Sequence, residues 1–243
     1  MATRHAALTV LAALAALAAA RADEQAIRRA LAPKLGDGRI VAVNKEPQSG
    51  LFEVAIRQAD GGFMVLYTDG AARTIFVGSL IDAATQRNLT EERIRALSAV
   101  DFDALPLHWA ITIRRGDGRR RIAILSDPNC PFCRRLEADL AKVDDITVHI
   151  LPYAVIRPES VRQAKAVWCS ADRAKAWTEL MQRRIEPAAK PDCDNPIDAL
   201  IEFGRDLGVV ATPTWFLPDG SRRSGALPLE QLLPLLDATA RRK

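Results

Sequence analysis

Two cysteines three residues apart, Cys130 and Cys133, lie in the stretch SDPNCPFCRRLEADL. Thiols at this spacing can form and exchange a disulfide, and close cysteines also serve as metal ligands or as a structural bridge. Leu136 and Leu140 follow Cys133 at helical spacing, and Pro131 suits a first helical position. The pattern therefore predicts a helix that begins at the first cysteine.

The start of a helix favours the thiolate of Cys130. Backbone N–H groups in the first turn lack partners, and the helix macrodipole places positive potential there. Arg134 and Arg135 add positive charge nearby. We predict that Cys130 is the exposed, attacking thiolate with a lowered pKa. Cys133, on the core-facing stripe, is the buried thiol that resolves the mixed disulfide.

Other uses of this cysteine pair fit the sequence less well than redox chemistry does. A zinc site needs four ligands, usually as two close pairs. Cys169 and Cys193 are far apart in sequence, and after residue 22 the only histidines are His108 and His149. A purely structural bridge is a further alternative, although helix starts rarely need one. The spacing favours redox chemistry, with no metal and no organic cofactor.

Cys169 and Cys193 are interpreted as a structural disulfide. They enclose a helical excursion that returns through a proline-rich segment. Closing a loop of that size stabilises a folded chain by ~3–4 kcal/mol in the chain-entropy treatment. A second redox pair is the alternative, but neither cysteine has a CxxC neighbour.

Residues 1–22 have the pattern of a secretory signal peptide. Arg4 and His5 precede an almost wholly apolar run, residues 6–20, and Ala20-Arg21-Ala22 has the small-x-small form of a cleavage site. The run is too short to span a bilayer with margin. We expect cleavage after Ala22 and export to an oxidising compartment, where disulfides form. A buried Ala-rich helix is the alternative.

The charge pattern does not indicate a nucleic-acid-binding function. The chain has 34 Lys and Arg against 30 Asp and Glu, a formal net charge of +4. Loss of Arg4 and Arg21 with the signal leaves 32 basic against 30 acidic side chains. The basic runs are scattered among acidic residues, whereas nucleic-acid binders usually gather their charge on one face.

The chain after the signal divides into two predicted domains and a connecting helix. Residues 23–89 contain a helix and four short alternating runs, which predict a small α+β domain with an antiparallel meander. An exposed edge of that sheet could be covered by a second copy of the chain. Residues 90–104 predict the connecting helix, with Thr90 as its N-cap.

Residues 105–243 have the predicted order β-β-α-β-α-α-β-β-α, typical of an α/β domain with a helical insertion. Pro234 lies within the last predicted helix. Because proline removes a helical hydrogen bond, we expect it to kink or shorten that helix.

Several segments together resemble one known family. CPFC after a strand, KAVWCSAD, PDC, LGVVATPTWFLPDG and LIDAATQRNLTEER are similar to the periplasmic disulfide isomerases of the DsbC/DsbG type. The resemblance covers nearly the whole chain after residue 22. It implies a thioredoxin-like catalytic domain with a helical insertion, preceded by a small α+β, cystatin-like dimerisation domain. It also implies a cis peptide at Thr212–Pro213 facing the cysteines, where the Thr212 backbone would pair with an extended substrate.

The function that this resemblance implies is a periplasmic thiol:disulfide isomerase acting as a homodimer on exported proteins with non-native disulfides. It implies that a membrane thiol reductase of the DsbD type keeps Cys130 and Cys133 reduced. The intervening Pro-Phe differs from the Gly-Tyr of the best-known isomerases and is closer to the DsbG side, and Ala211 stands where glycine is common. Two alternatives stay open: a DsbG-like reductase of cysteine sulfenic acids, and a holdase chaperone with secondary redox activity.

Overall fold

The structure of the chain, a computed structural model, describes residues 23–47 and 49–240. The chain divides into two compact units, with the boundary between Leu97 and Ser98. The predicted signal peptide, residues 1–22, lies outside the described residues. Across the described ranges, no helix combines the length and the apolar character needed to cross a membrane.

The first unit is a four-stranded antiparallel sheet with helices packed on it. Helix α1 covers residues 23–31 and runs into a 3-10 turn, Ala32–Lys34, and α2 covers Leu89–Leu97. The strands follow one another in the order β1-β2-β3-β4. Their bounds are β1 Arg39–Lys45, β2 Phe52–Arg57, β3 Phe63–Thr68 and β4 Ile75–Phe76.

Alternation along β2 explains why both faces of this sheet are covered. Successive side chains of a strand point to opposite faces. Val54 packs in one cluster with Ile27 of α1, whereas Ala55 lies in a second cluster with Ile94 and Leu97 of α2. The sheet is thus covered on both faces, and β1 and β4 are its two edges.

Helix α2 is capped by Asn88 and not by Thr90, so the predicted cap is wrong. Asn88 Oδ1 accepts the N–H of Glu91 at 3.0 Å. The Thr90 hydroxyl is instead buried, hydrogen-bonded to Tyr67 Oη at 2.6 Å and accepting the N–H of Leu80 at 2.8 Å. Strand β4 is short, Ile75–Phe76, and the chain beyond it is bonded to α2 through the N–H of Leu80.

The predicted connecting helix over residues 90–104 is too long. Helix α2 ends at Leu97, and Phe102–Ala104 forms a separate 3-10 turn capped by Asp101. Between them, the Val100 N–H donates to the carbonyl of Gly220 at 3.0 Å. The backbone group that would continue the helix is therefore bound elsewhere.

The second unit is a mixed five-stranded sheet with helices around it. The strand order is β5-β7-β6-β8-β9, in which only β6 and β7 are parallel neighbours. The strands are β5 Ile111–Arg115, β6 Arg120–Ser126, β7 Ile146–Pro152, β8 Thr214–Phe216 and β9 Arg222–Ser224. A 3-10 turn, Leu107–Trp109, precedes β5.

The helices of the second unit are α3 Pro131–Leu140, α4 Pro158–Trp168, α5 Arg173–Thr178, α6 Ile197–Asp206 and α7 Leu229–Ala240. Helix α3 is the crossover that parallel strands such as β6 and β7 require. A π-helical turn, Glu179–Arg183, continues α5. Helix α7 continues through Pro234, so the proline does not shorten it; the ring lies on the exposed face, while Leu232 and Leu236 are buried.

Helices α4 to α6 form an insertion between β7 and β8. At its base, Tyr153 Oη donates to the carbonyl of Val209 at 2.9 Å, so the residues just before and just after the insertion are tied together. A disulfide joins Cys169, at the end of α4, to Cys193, with Cα atoms 5.8 Å apart. A hydrogen bond therefore joins the two ends of the insertion, and a disulfide joins two segments inside it.

We predict that Thr90→Val destabilises the first unit by ~1–3 kcal/mol. Valine keeps the shape of threonine but leaves the Tyr67 hydroxyl and the Leu80 N–H without their buried partner. Chemical denaturation of the full chain, followed by a probe in the first unit, measures the change. Thr74→Val, at an exposed position, is the matched control. Equal stability of the two variants would contradict this account of Thr90.

Candidate active site

Cys130 and Cys133 occupy the first turn of α3, immediately after β6. Cys130 is the N-cap residue, with extended backbone angles, and its Sγ accepts the N–H of Cys133 at 3.4 Å. Pro131 fills the first helical position, where its missing N–H costs no hydrogen bond. The backbone of this turn thus directs a donor at the first sulfur.

Cys130 is not exposed, contrary to the prediction from the sequence. Only 3 % of its surface is accessible, and Cys133 is fully buried. The carbonyl of Thr212 lies 3.3 Å from Cys130 Sγ and accepts from the thiol. Helix spacing predicted the burial of Cys133, but the segment that covers Cys130 comes from 82 residues further along the chain.

The two thiols have pKa values that move in opposite directions. The pKa of Cys130 is lowered to about 5, and the largest cause is the hydrogen bond from the Cys133 side chain. The Thr212 hydroxyl and the N–H groups of the first turn also lower this pKa, whereas burial opposes them. Burial is the main cause that raises the pKa of Cys133, and the neighbouring Cys130 raises it further. One sulfur is therefore set up as a nucleophile, and the other holds its proton.

Thr212 and Pro213 lie beside this pair, just before β8, and the peptide bond between them is cis. Thr212 Oγ1 is buried, and no N or O atom in the part of the chain that the structure describes forms a hydrogen bond with it. The Cys130 sulfur is the group to which that hydroxyl can donate. Of the residues singled out from the sequence, Cys130, Cys133 and Thr212–Pro213 come together here. The Cys169–Cys193 disulfide belongs to the insertion.

A buried carboxylate holds the loop that presents the thiols. Asp127, three residues before Cys130, accepts the N–H of Asn129 at 2.7 Å and the hydroxyl of Ser160 at 2.9 Å. Its second oxygen accepts the N–H groups of Val155 and Ile156 at 2.7 and 2.8 Å. Asp127 therefore fastens the cysteine loop to the segment between β7 and α4.

Exposed apolar side chains lie on the segments that carry or contact the thiols. Phe132, between the cysteines, is 59 % exposed, and Val210, two residues before Thr212, is 76 % exposed. Val155 and Ile156, held by Asp127, are also exposed. Exposed large apolar side chains close to reactive groups are a feature of surfaces that bind another molecule. We call these four residues the apolar rim.

Sequence reasoning missed a buried acid behind the thiols. Glu137 lies one helical turn after Cys133, on the same buried face of α3. Its carboxylate accepts from Ser126 Oγ at 2.6 Å and from Trp177 Nε1 at 2.7 Å. Burial raises the pKa of Glu137 to about 7. A glutamate four residues after a core-facing cysteine was a signal for this position.

The arrangement can carry out thiol–disulfide exchange: one sulfur titrates well below neutral pH, a second lies within hydrogen-bonding reach, and exposed apolar side chains lie on the neighbouring segments. Among residues 23–47 and 49–240, no three His, Cys, Asp or Glu side chains are grouped as a metal site would require.

Comparisons with known proteins match both units. Residues 107–240 match a family described as "Thioredoxin-like domain", and residues 18–91 match "Disulfide bond isomerase protein N-terminal domain". The probable thiol:disulfide interchange protein DsbC of Bordetella pertussis is 39% identical over 207 residues, which cover 85% of this chain and 72% of that protein. The thiol:disulfide interchange protein DsbC of Escherichia coli K12 is 27% identical over 237 residues, covering 94% and 93%.

A solved structure agrees with these matches. The crystal structure of a disulfide interchange protein from Neisseria gonorrhoeae superposes with a TM-score of 0.54 at 36% identity, covering 57% of this chain and all of that one. The predicted fold class, a thioredoxin-like α/β domain preceded by a small α+β domain, is confirmed.

We predict that the thiolate absorbance of the reduced protein titrates with a midpoint near the Cys130 pKa of about 5. Since a lowered pKa favours the charged form above it, Cys130 should be ionised at neutral pH. Cys133→Ala removes the strongest stabilising donor and should move the midpoint up towards the ordinary value of about 8.5. Cys133→Ser keeps a donor and should move it less.

The Cys130→Ala variant serves as the control for this titration, because it should show no step below neutral pH. A midpoint near about 8.5 in the unaltered protein would contradict the assignment of Cys130 as the nucleophile.

Proposed function

Because this chain belongs to the DsbC family of thiol:disulfide interchange proteins and is a thiol–disulfide oxidoreductase, we propose that it is a periplasmic isomerase correcting non-native disulfides in exported proteins. The observation that carries the proposal is the unequal thiol pair at the start of α3. Cys130 has a lowered pKa, and Cys133, in the core, has a raised one. Such a pair can attack a substrate and then hold the mixed disulfide.

The proposed reaction begins with the Cys130 thiolate. It attacks one sulfur of a substrate disulfide, forming a Cys130–substrate bond, while the other substrate sulfur leaves as a thiolate. In isomerisation, a substrate thiolate then attacks a different substrate sulfur or the mixed disulfide, and Cys130 is released unchanged in oxidation state. In net reduction, Cys133 instead attacks Cys130, and the substrate leaves with two thiols.

Polypeptides with exposed apolar side chains are the substrate class that the apolar rim fits. Phe132 lies two residues after Cys130 and Val210 two residues before Thr212, and both present uncharged surface. Misfolded chains expose similar side chains, and burying them against the rim is favourable. We further propose that the backbone of Thr212, beside Pro213, pairs with an extended substrate segment. Cys169–Cys193 has a structural role in this scheme.

The first unit supports a proposed homodimer. Ile75 and Phe76 form the short edge strand β4, and Val77 follows it; they are 42 %, 51 % and 74 % exposed. An edge strand with open backbone groups and exposed apolar side chains is a template for pairing with another chain. A second copy of this chain, paired at β4, would cover both, and two thiol sites would then belong to one particle.

The thiol pair must be kept reduced for isomerisation, because an oxidised pair has no nucleophile. We propose that a membrane thiol reductase of the DsbD type supplies the electrons. The lowered pKa of Cys130 favours this, since it stabilises the reduced form of the pair and makes its disulfide easier to reduce.

Cys133→Ser separates isomerisation from net reduction. It should retain isomerisation of a scrambled multi-disulfide protein, since attack and release by the substrate's own thiol need only Cys130. It should lose net reduction of insulin, which needs both thiols. Cys130→Ser should lose both activities. Loss of isomerisation in Cys133→Ser as complete as in Cys130→Ser would contradict direct isomerisation by Cys130.

The same assays distinguish the alternatives. A holdase would suppress aggregation as well with Cys130→Ser as with the unaltered chain, and neither would isomerise. A reductase of sulfenic acids would turn over a cysteine sulfenic acid faster than a scrambled disulfide.

Val77→Asp tests the dimer. A charge at this exposed position should prevent pairing at β4 without disturbing the core, so the variant should sediment as a monomer, reduce insulin normally and lose most isomerisation. Val41→Asp, in the opposite edge strand and 44 % exposed, is the matched control and should remain dimeric. An unaltered chain that sediments as a monomer, or dissociation by Val41→Asp alone, would overturn the β4 interface.

A further inference from the structure

Three arginines from separate segments of the second unit come together beside the thiols. Arg134 lies one turn after Cys130 in α3, Arg157 is the N-cap residue of α4, and Arg184 ends the π-helical turn after α5. Arg134 is half-buried, whereas Arg157 and Arg184 are exposed. We call these three residues the arginine cluster.

Each arginine is held close to the cysteine loop by the segment that carries it. Arg134 Nη1 donates to the carbonyl of Pro128, within that loop, at 3.0 Å. Arg157 directly follows the residues whose N–H groups Asp127 accepts. The π-helical turn that ends before Arg184 packs against α3. The cluster is thus built from three segments that meet at the start of α3.

The three guanidinium groups act on one another electrostatically. Burial is the main cause that lowers the pKa of Arg134, and the positive charges of Arg184 and Arg157 lower it further. Arg134 nevertheless stays protonated at neutral pH, since arginine titrates only above about 12. Like charges at short range repel, so an anion placed among them would be stabilised.

Acidic side chains compensate only part of this positive charge. Arg157 lies 3.6 Å from the carboxylate of Glu159, and both side chains are exposed. The ion pairs formed within residues 23–47 and 49–240 include no carboxylate partner for Arg134 or Arg184. In the reduced protein, the Cys130 thiolate supplies a further negative charge that attracts Arg134.

That negative charge is lost when Cys130 reacts. Its Sγ forms a bond to one substrate sulfur, the substrate disulfide breaks, and the electron pair leaves on the second substrate sulfur. The arginine cluster then faces the bound substrate without the thiolate that partly balanced it. A substrate carboxylate beside the mixed disulfide would take the place of the thiolate charge.

We propose that the arginine cluster is a subsite for acidic residues that flank the reactive cysteine of a polypeptide substrate. The subsite rests on the proposed function, in which Cys130 is the nucleophile, and adds a charge preference to the apolar preference of the rim. Arg157 directly follows Ile156 of the rim, so apolar and positive surface are contiguous there. Guanidinium groups suit this role because they stay charged and bind carboxylates through two parallel hydrogen bonds.

Activated peptides measure this preference directly. Each peptide carries one cysteine as a mixed disulfide with 2-thiopyridine, and its flanking residues are glutamate, glutamine or lysine in an otherwise identical sequence. Attack by Cys130 on the peptide sulfur releases thiopyridine, whose absorbance gives the rate for the reduced full-length protein. Rates with 2-mercaptoethanol correct for intrinsic differences among the peptides.

We expect the glutamate peptide to react about 10-fold faster than the glutamine peptide at low salt. The lysine peptide should react more slowly than either. Because charges more than about 10 Å apart are screened at 0.1 M salt, the advantage of the glutamate peptide should shrink as salt is added.

Substitutions within the cluster locate the preference. Arg184→Gln and Arg157→Gln should each lower the glutamate-to-glutamine rate ratio about 3-fold. Since both peptides meet the same Cys130, this ratio cancels any change in the reactivity of its thiolate. Arg119→Gln is the matched control, because Arg119 precedes β6 while the cysteines follow the other end of that strand. It removes the same charge and should leave the ratio unchanged.

The outcomes separate the subsite from the proposed function. Equal rates for the glutamate and glutamine peptides, or a ratio that falls as far in Arg119→Gln as in Arg184→Gln, would overturn the subsite alone. Loss of the preference in sulfate, but not in chloride of the same ionic strength, would show a small-anion site and also overturn it. No thiopyridine release from any peptide would overturn Cys130 as the nucleophile, and the proposed function with it.

Discussion

The first turn of α3 places two identical side chains in unequal surroundings. A helix start points unpaired N–H groups at its N-cap residue, while the residue three positions later turns towards the core. Cys130 therefore receives donors, and Cys133 loses water. No metal or cofactor is needed for this difference, because it follows from where the helix begins. Strand β6 and the loop that Asp127 fastens determine that starting point.

The low pKa of one thiol depends on the high pKa of the other. The Cys133 proton is the strongest donor to the Cys130 sulfur, so protonated Cys133 and ionised Cys130 stabilise each other. Removing the Cys133 proton takes away that donor just when its thiolate is needed. Behind the helix, the buried carboxyl of Glu137 accepts from Ser126 at the end of β6. The resting state thus needs a protonated Cys133, whereas attack on the mixed disulfide needs an ionised one.

Residue spacing and alternation predicted those parts of the fold that depend on neighbouring residues in the chain. The CxxC helix start, the burial of Cys133 and the helix-then-meander order of the first unit follow from spacing and alternation, and the structure has them. The failures occur where distant segments meet. Thr212, which covers Cys130, lies far along the chain from it. The Thr90 hydroxyl does not cap α2, because it is hydrogen-bonded to Tyr67 and Leu80 instead. Such contacts leave no periodic signal in the sequence.

Glu137 was missed for a different reason. A single acidic residue on an apolar helix face has no meaning until its partners are known, and Ser126 and Trp177 lie on other elements. Beyond the ends of β4 and α2, the N–H groups of Leu80 and Val100 likewise bond to groups on later segments, the Thr90 hydroxyl and the Gly220 carbonyl. Family resemblance supplied the interpretation that residue spacing alone left open, and the fold bears out that part of it.

The fastening of the insertion has an evolutionary consequence. Asp127 holds its entry, through the N–H groups of Val155 and Ile156, and Tyr153 ties the entry to the exit at Val209. The helices between these points are joined to one another by the Cys169–Cys193 disulfide. Ser160 of α4 and Trp177 of α5 also bond to groups beside the thiols, so the sulfur atoms tolerate changes in the insertion only where these contacts are kept. Where those contacts are kept, the hydrogen bonds at the base leave the rest of the insertion free to change in sequence while the geometry of the sulfur pair is preserved.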